Sequence, residues 1–154
     1  MPKFVQVRTR RDVLGLAVAG AAAAIAVPTV ARATPEKVAE AIKKLFGDKK
    51  LLPGKIKLDL PSIAENGLVV PLGFEVESPM TATDYVKSVH FFAEGNPSVG
   101  VASYYFSPLA PKAAAAVRIR LAKSQEVVAV AEMSNGEIYT ARKEVKVTIG
   151  GCGG

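Results

Sequence analysis

Residues 126–149 run EVVAVAEM-SNG-EIYTARKEVKVTI. Two strand-like runs, Glu126–Met133 and Glu137–Ile149, flank Ser134-Asn135-Gly136. Asn-Gly accepts the left-handed backbone that a tight hairpin turn requires, so this stretch predicts two paired antiparallel strands. Upstream the same two-residue period recurs. Charge and aliphatic side chains alternate strictly in Lys55-Ile56-Lys57-Leu58-Asp59-Leu60 and in Val117-Arg118-Ile119-Arg120-Leu121. Val86–Glu94 and Val99–Ser107 are two further candidates, separated by the turn residues Gly95-Asn96-Pro97. Leu68–Glu77 is another, with Pro71 and Gly73 suggesting an edge strand or a bulge. Ala113–Ala116 reads as a packing run that enters a strand. Some seven short strands at turn-to-turn intervals near ten residues predict a mainly β fold, an immunoglobulin-like antiparallel β-sandwich.

One helix precedes the strands. Thr34-Pro35-Glu36 is a start signal: a capping hydroxyl, a proline at the first helical position and an acid in the first turn. Val38, Ala41, Ile42, Leu45 and Phe46 follow at helical spacing and predict one apolar face. Gly47 fits the position just past the end. A single β-sandwich domain over residues 34–149, led by an amphipathic helix at 34–46, is therefore expected.

Residues 1–33 read as an address. Lys3, Arg8, Arg10, Arg11 and Arg32 face a single Asp12, so this segment holds four of the six net positive charges of the 154-residue chain. A weakly apolar run, Val13–Val27, ends at Pro28, and Ala31-Arg32-Ala33 follows. That is the order of a cleaved export signal, with cleavage between Ala33 and Thr34. Thr9-Arg10-Arg11-Asp12-Val13-Leu14 matches the twin-arginine (Tat) pattern apart from Val13, where Phe is usual. The expected location is the periplasm, with no membrane attachment after cleavage. Tat carries folded proteins, and a co-exported folded partner is the expected reason for that route.

The remaining 121 residues are nearly balanced in charge, with 15 basic and 13 acidic groups. No basic patch interleaved with aromatics appears, so nothing points to nucleic acid. The chain has one His and one Cys. It cannot make an internal disulfide, nor a four-ligand zinc site from His and Cys. No cofactor of its own is expected.

The chain ends Gly150-Gly151-Cys152-Gly153-Gly154. Glycines have no side chain to bury and high backbone entropy, so residues 150–154 are expected to form a thin, flexible arm. Five residues reach at most roughly 17 Å. The arm supplies no base and no cation, and a free thiol of pKa about 8.5 is mostly protonated near neutrality. Cys152 therefore reads as a handle that partners activate, not as a catalyst. His90 is the sole histidine that could serve as its base, and its alternating context reads as a packed strand residue. Arg118 and Arg120 read as a solvated sheet face, or as a place to attract an anion or a partner. Lys49 and Lys50 read as solvated loop residues, and Leu68–Val76 as a possible apolar edge or face for a partner.

The tail and the Tat signal together resemble the SoxY family, sulfur carriers of bacterial thiosulfate oxidation. Ser78-Pro79-Met80-Thr81-Ala82, Asp84-Tyr85-Val86-Lys87, Phe92-Ala93-Glu94, Asn96-Pro97, Arg118–Ala122 and Ser124–Met133 extend the likeness over the mature chain. The resemblance implies a heterodimer with SoxZ and covalent attachment of sulfur to Cys152, with Gly150, Gly151, Gly153 and Gly154 as the arm. It implies loading by the c-type cytochrome SoxAX, to give a cysteine S-thiosulfonate, and release of sulfate by the dimanganese hydrolase SoxB. Where a sulfane dehydrogenase is present, it would oxidise the remaining sulfur. The chain itself would catalyse nothing, and haem and manganese would belong to partners. Two rival readings are a ubiquitin-like carrier using a terminal glycine thiocarboxylate, and a structural sandwich tethered through Cys152.

Overall fold

A computed structural model describes residues 33–150. Arg10 and Arg11 of the expected signal, and Gly151, Cys152, Gly153 and Gly154 of the expected arm, lie outside that range. The helix α1 spans Pro35–Phe46, with Thr34 capping it through an oxygen that accepts from the Lys37 amide. Nine strands follow among the described residues: β1 (Leu51–Pro53), β2 (Ile56–Asp59), β3 (Ile63–Asn66), β4 (Val70–Val76), β5 (Val86–Ala93), β6 (Gly100–Tyr105), β7 (Ala113–Ile119), β8 (Gln125–Met133) and β9 (Ile138–Ile149).

Two sheets form the sandwich. The larger runs β1-β9-β8-β5-β6, with β3 also paired to β9, and the smaller runs β2-β4-β7. The predicted hairpin is β8–β9, in register from Gln125 opposite Val145 to Glu132 opposite Ile138. Gly136 takes a positive φ of 86° in its turn, as Asn-Gly foretells.

The main core lies between the sheets. Val70, Leu72, Phe74 and Val76 of β4 meet Val89, Phe91 and Ala93 of β5 and Val127, Ala129 and Ala131 of β8. The Phe74 ring lies 5.0 Å from both Phe91 and Tyr104, centroid to centroid. A second cluster sits under the helix: Val38, Ile42 and Phe46 cover Phe92, Val128, Val130 and Ile138. Strands β5 and β8 are thus buried on both faces. That is why β8 reads as an almost unbroken apolar run instead of an alternating one. Each such buried aliphatic or aromatic side chain contributes roughly 1.5–3 kcal/mol.

Four expectations need adjustment. Leu45 was placed on the buried helical face but is 55% exposed, because the stripe follows the tighter i, i+4, i+8 series Val38, Ile42, Phe46. The Ala113–Ala116 run does not lead into β7 but forms its first half, with Ala113 and Ala115 against the core. Strand β4 is the inner strand of its sheet, not an edge. Its partner β2 covers only Gly73–Val76, so Pro71 pairs with Arg118 of β7 and has no partner in β2. Finally, β1 and β3 were not foreseen. Both pair in parallel with β9, β1 along Ile138–Thr140 and β3 along Lys146–Ile149.

Candidate functional site

The last strand delivers the chain terminus to a small, hydrogen-bonded platform. Gly67, in the turn after β3, donates its amide to the Ile149 carbonyl at 2.7 Å and accepts from the Leu121 amide at 2.8 Å. One residue therefore ties the end of β9 to the loop between β7 and β8. Ser124 adds a second tie: its hydroxyl accepts from the Val147 amide at 2.9 Å. Gly150 follows directly. A Cβ built there would overlap the Ala122 carbonyl oxygen, so a side chain at this position must displace backbone.

The β7–β8 loop is itself fixed from below by Asn96, a buried side chain in the β5–β6 loop. Asn96 Oδ1 accepts from the Ala122 amide and from Gln125 Nε2, both at 2.9 Å, while Nδ2 donates to the Arg120 carbonyl at 2.8 Å. Gln125 Oε1 in turn accepts from the Gly95 amide at 2.6 Å. The Asn96 carbonyl accepts from the Ala33 amide at 2.8 Å. Buried amide side chains are stable only when their polar atoms are paired, and no buried side-chain nitrogen or oxygen among the described residues lacks a partner. The arm root is accordingly a rigid base: β9, Gly67, Ala122, Asn96 and Gln125 hold one another.

Cys152 lies two residues past Gly150, outside the described residues. So do Gly151, Gly153 and Gly154, and Arg10 and Arg11 of the signal. At the expected cleavage point, Ala33 is buried and Thr34 is the helix cap. Gly150 gains a cause that sequence reasoning missed. Its missing side chain is required by contact with Ala122, not only by the thinness of an arm. No local sequence signal announces it, because the Ala122-to-Gly150 contact joins residues far apart in the chain.

His90 is a buried strand residue, as its alternating context predicts. It sits on the helix-facing side of β5, edge-on to Phe46 at 5.5 Å and to Tyr105 at 5.6 Å, with Nδ1 2.9 Å from Ser103 Oγ. Burial lowers its pKa below the ordinary histidine value, and the Glu132 charge partly offsets this. Arg118 and Arg120 are solvent-exposed, as expected. Of the Leu68–Val76 stretch, Val70, Leu72, Phe74 and Val76 are buried. Within it only Leu68 and Val69 present large apolar surface; Ile63 of β3 and Ile149 of β9 are also exposed. No group of three or more metal-ligating side chains occurs among the described residues. No helix among them is long and apolar enough to cross a membrane.

Known proteins place this arrangement. The family model described as "Sulfur oxidation protein SoxY" matches residues 42–152. The chain is similar to the solved sulfur carrier protein SoxY from Chlorobium limicola f thiosulfatophilum, at 32% identity and a TM-score of 0.64. That match covers 75% of this chain and all of the other. A superoxide reductase (neelaredoxin) variant from Ignicoccus hospitalis aligns at 23% identity and TM-score 0.55, over 74% of this chain and 92% of its own. A putative superoxide reductase from Thermotoga maritima aligns at 14% and TM-score 0.55, over 63% and 93%. These two share the fold alone. No curated protein matches the chain in sequence.

Proposed function

The chain belongs to the SoxY family of sulfur oxidation proteins, and from that premise we propose that it carries sulfur intermediates covalently on the Cys152 thiol. One observation carries this reading: the family match runs through Cys152, two residues beyond a glycine that the fold seats firmly on Ala122. The cargo thiol then stands on a short tether from a rigid base. A partner's active site can take the tether without remodelling the sandwich.

The chemistry asks little of this chain. Loading joins the Cys152 sulfur to the outer sulfur of thiosulfate. The thiol proton and two electrons leave, and the electrons pass to a c-type cytochrome such as SoxAX. The product is a cysteine S-thiosulfonate. Hydrolysis by a SoxB-type dimanganese enzyme adds one water, releases hydrogen sulfate and leaves a persulfide. A sulfane dehydrogenase, where the host has one, oxidises that sulfur further, and a final hydrolysis restores the thiol. Haem and manganese belong to those partners. SoxZ is the proposed heterodimer subunit, and the periplasm, reached through Tat, is the proposed location.

Intact mass after incubation with thiosulfate and the oxidised cytochrome tests the reading. One thiosulfonate adduct is expected, abolished by Cys152→Ser. A mass gain at the Gly154 carboxylate would instead favour the ubiquitin-like route. A stable cross-link without any adduct would favour a tether.

A further inference from the structure

A groove of about 430 Å³ opens between the edge strands of the two sheets, β6 on one side and β7 on the other. Asn96, Pro97 and Ser98 close one end. Its walls are largely apolar, and its charged groups are Arg118 and Arg120. These two stand two residues apart on an extended segment, so they share one face. No acidic residue lines the groove, and neither guanidinium has a carboxylate partner among the described residues. The contrast is local. Arg142 holds Glu94 and Glu126, and the groove on the outer face of the smaller sheet balances Lys57 and Lys112 with Asp59 and Glu75. The β6–β7 groove, by contrast, is lined by two cations and no acid. Apolar walls strengthen such a field by lowering the local dielectric.

The groove also adjoins the arm root. Asn96 lines it, and the same side chain bonds the Arg120 carbonyl and the Ala122 amide, whose own carbonyl abuts Gly150. Cys152 lies two residues on, about 7 Å of extended chain. We propose that this groove binds the sulfur oxoanion tethered to Cys152 of the same chain. This deepens the carrier reading and rests on it. A terminal sulfonate group presents three oxygens to the two guanidinium forks, the geometry in which arginine binds oxoanions best. The tether fixes the effective concentration in the millimolar range, so a weak, reversible contact suffices. Docking then depends on the cargo. The sulfonate-bearing arm folds back, and once sulfate has been released the grip is lost.

The test loads Cys152 chemically, without any Sox partner. The full chain is treated with methanethiosulfonate reagents that leave a sulfonatoethyl, a methyl or a trimethylammonioethyl group. Nuclear magnetic resonance then follows the Arg118 and Arg120 side-chain Nε–H signals and the relaxation of the terminal glycine amides. Both should change in the sulfonatoethyl adduct alone. Arg118→Gln and Arg120→Gln should each lower the docked-to-free ratio roughly three- to fivefold, as expected for exposed ion pairs. About 1 M NaCl, which cuts the screening length to about 3 Å, should release the arm in the unaltered chain, so the test does not depend on either variant folding. Identical spectra for the three adducts, or an anion effect untouched by both substitutions and by salt, would overturn the proposal. Because the label comes from the reagent, that failure would leave the thiosulfate-loading test of the carrier role unaffected.

Discussion

The carbonyl of Ala122 occupies the space that a side chain at Gly150 would need. The first residue of the terminal pentapeptide is thereby part of the folded domain's steric fit, while Cys152 lies two residues further on.

Gly150→Ala should loosen the arm root. The new methyl must push the terminus off Ala122, at a cost of about 1 kcal/mol. The Gly67 and Leu121 amides, which close the tie between β9 and the β7–β8 loop, should exchange with deuterium several-fold faster. Gly100→Ala is the control: it has open space around it and no positive φ, so those amides should be unchanged. Equal exchange in both variants would mean the Ala122 contact has no energetic consequence.

Asn96→Ala should be far more damaging than its single amide suggests. It removes the acceptor for the Ala122 amide and for Gln125 Nε2, and the donor to the Arg120 carbonyl. Leaving buried polar groups unpaired costs about 1–3 kcal/mol each, so a loss of roughly 3 kcal/mol is expected from urea unfolding. A change within experimental error would show that water replaces the side chain at no cost.

His90 should make stability pH-dependent in a defined direction. Burial lowers its pKa in the folded state, so the unfolded chain takes up the proton at the higher pH. The contribution is therefore complete above the unfolded value of about 6.5 and is lost as pH falls through the lowered folded value. In His90→Phe, this part of the urea-midpoint profile should flatten. Glu94, raised mainly by burial, acts in the opposite sense and is common to both proteins, so the difference between the two curves isolates His90. Parallel curves would refute the assignment.

Cys152→Ser should leave the unfolding midpoint and the fold unchanged while abolishing thiosulfate-dependent mass gain. The described fold, residues 33–150, has its polar groups paired without the thiol. A drop in thermal stability in that variant would point to a structural role for the sulfur.

What could be read from the chain divides along sequence distance. The helix start at Thr34, the Asn135-Gly136 hairpin and the alternating strands are written in neighbouring residues, and the structure reproduces them within a residue or two, except that β7 starts four residues upstream. Strands β1 and β3 are only three and four residues long, and each pairs with β9, more than 80 residues away in the chain, so no local period announces them. Cys152 stands out in the sequence because its surroundings are compositionally extreme, and it lies outside the described residues. The Asn96 platform was not, since Asn96-Pro97 reads as an ordinary turn until Ala122 and Gln125 arrive beside it. Arg118 and Arg120 were visible as an exposed pair, but only the approach of β6 to β7 turns them into the floor of a groove.

Strand β9 is hydrogen-bonded to β8 along one side and to β1 and β3 along the other. On the proposed carrier role, an enzyme that held the loaded tip would pull on the C-terminal end of this twelve-residue strand. Many inter-strand bonds are then loaded together, in shear, and none can be peeled open one at a time. The same parallel flanks that escaped the sequence make the last strand a mechanical clamp, so that a tug on the thiol is met by the whole larger sheet.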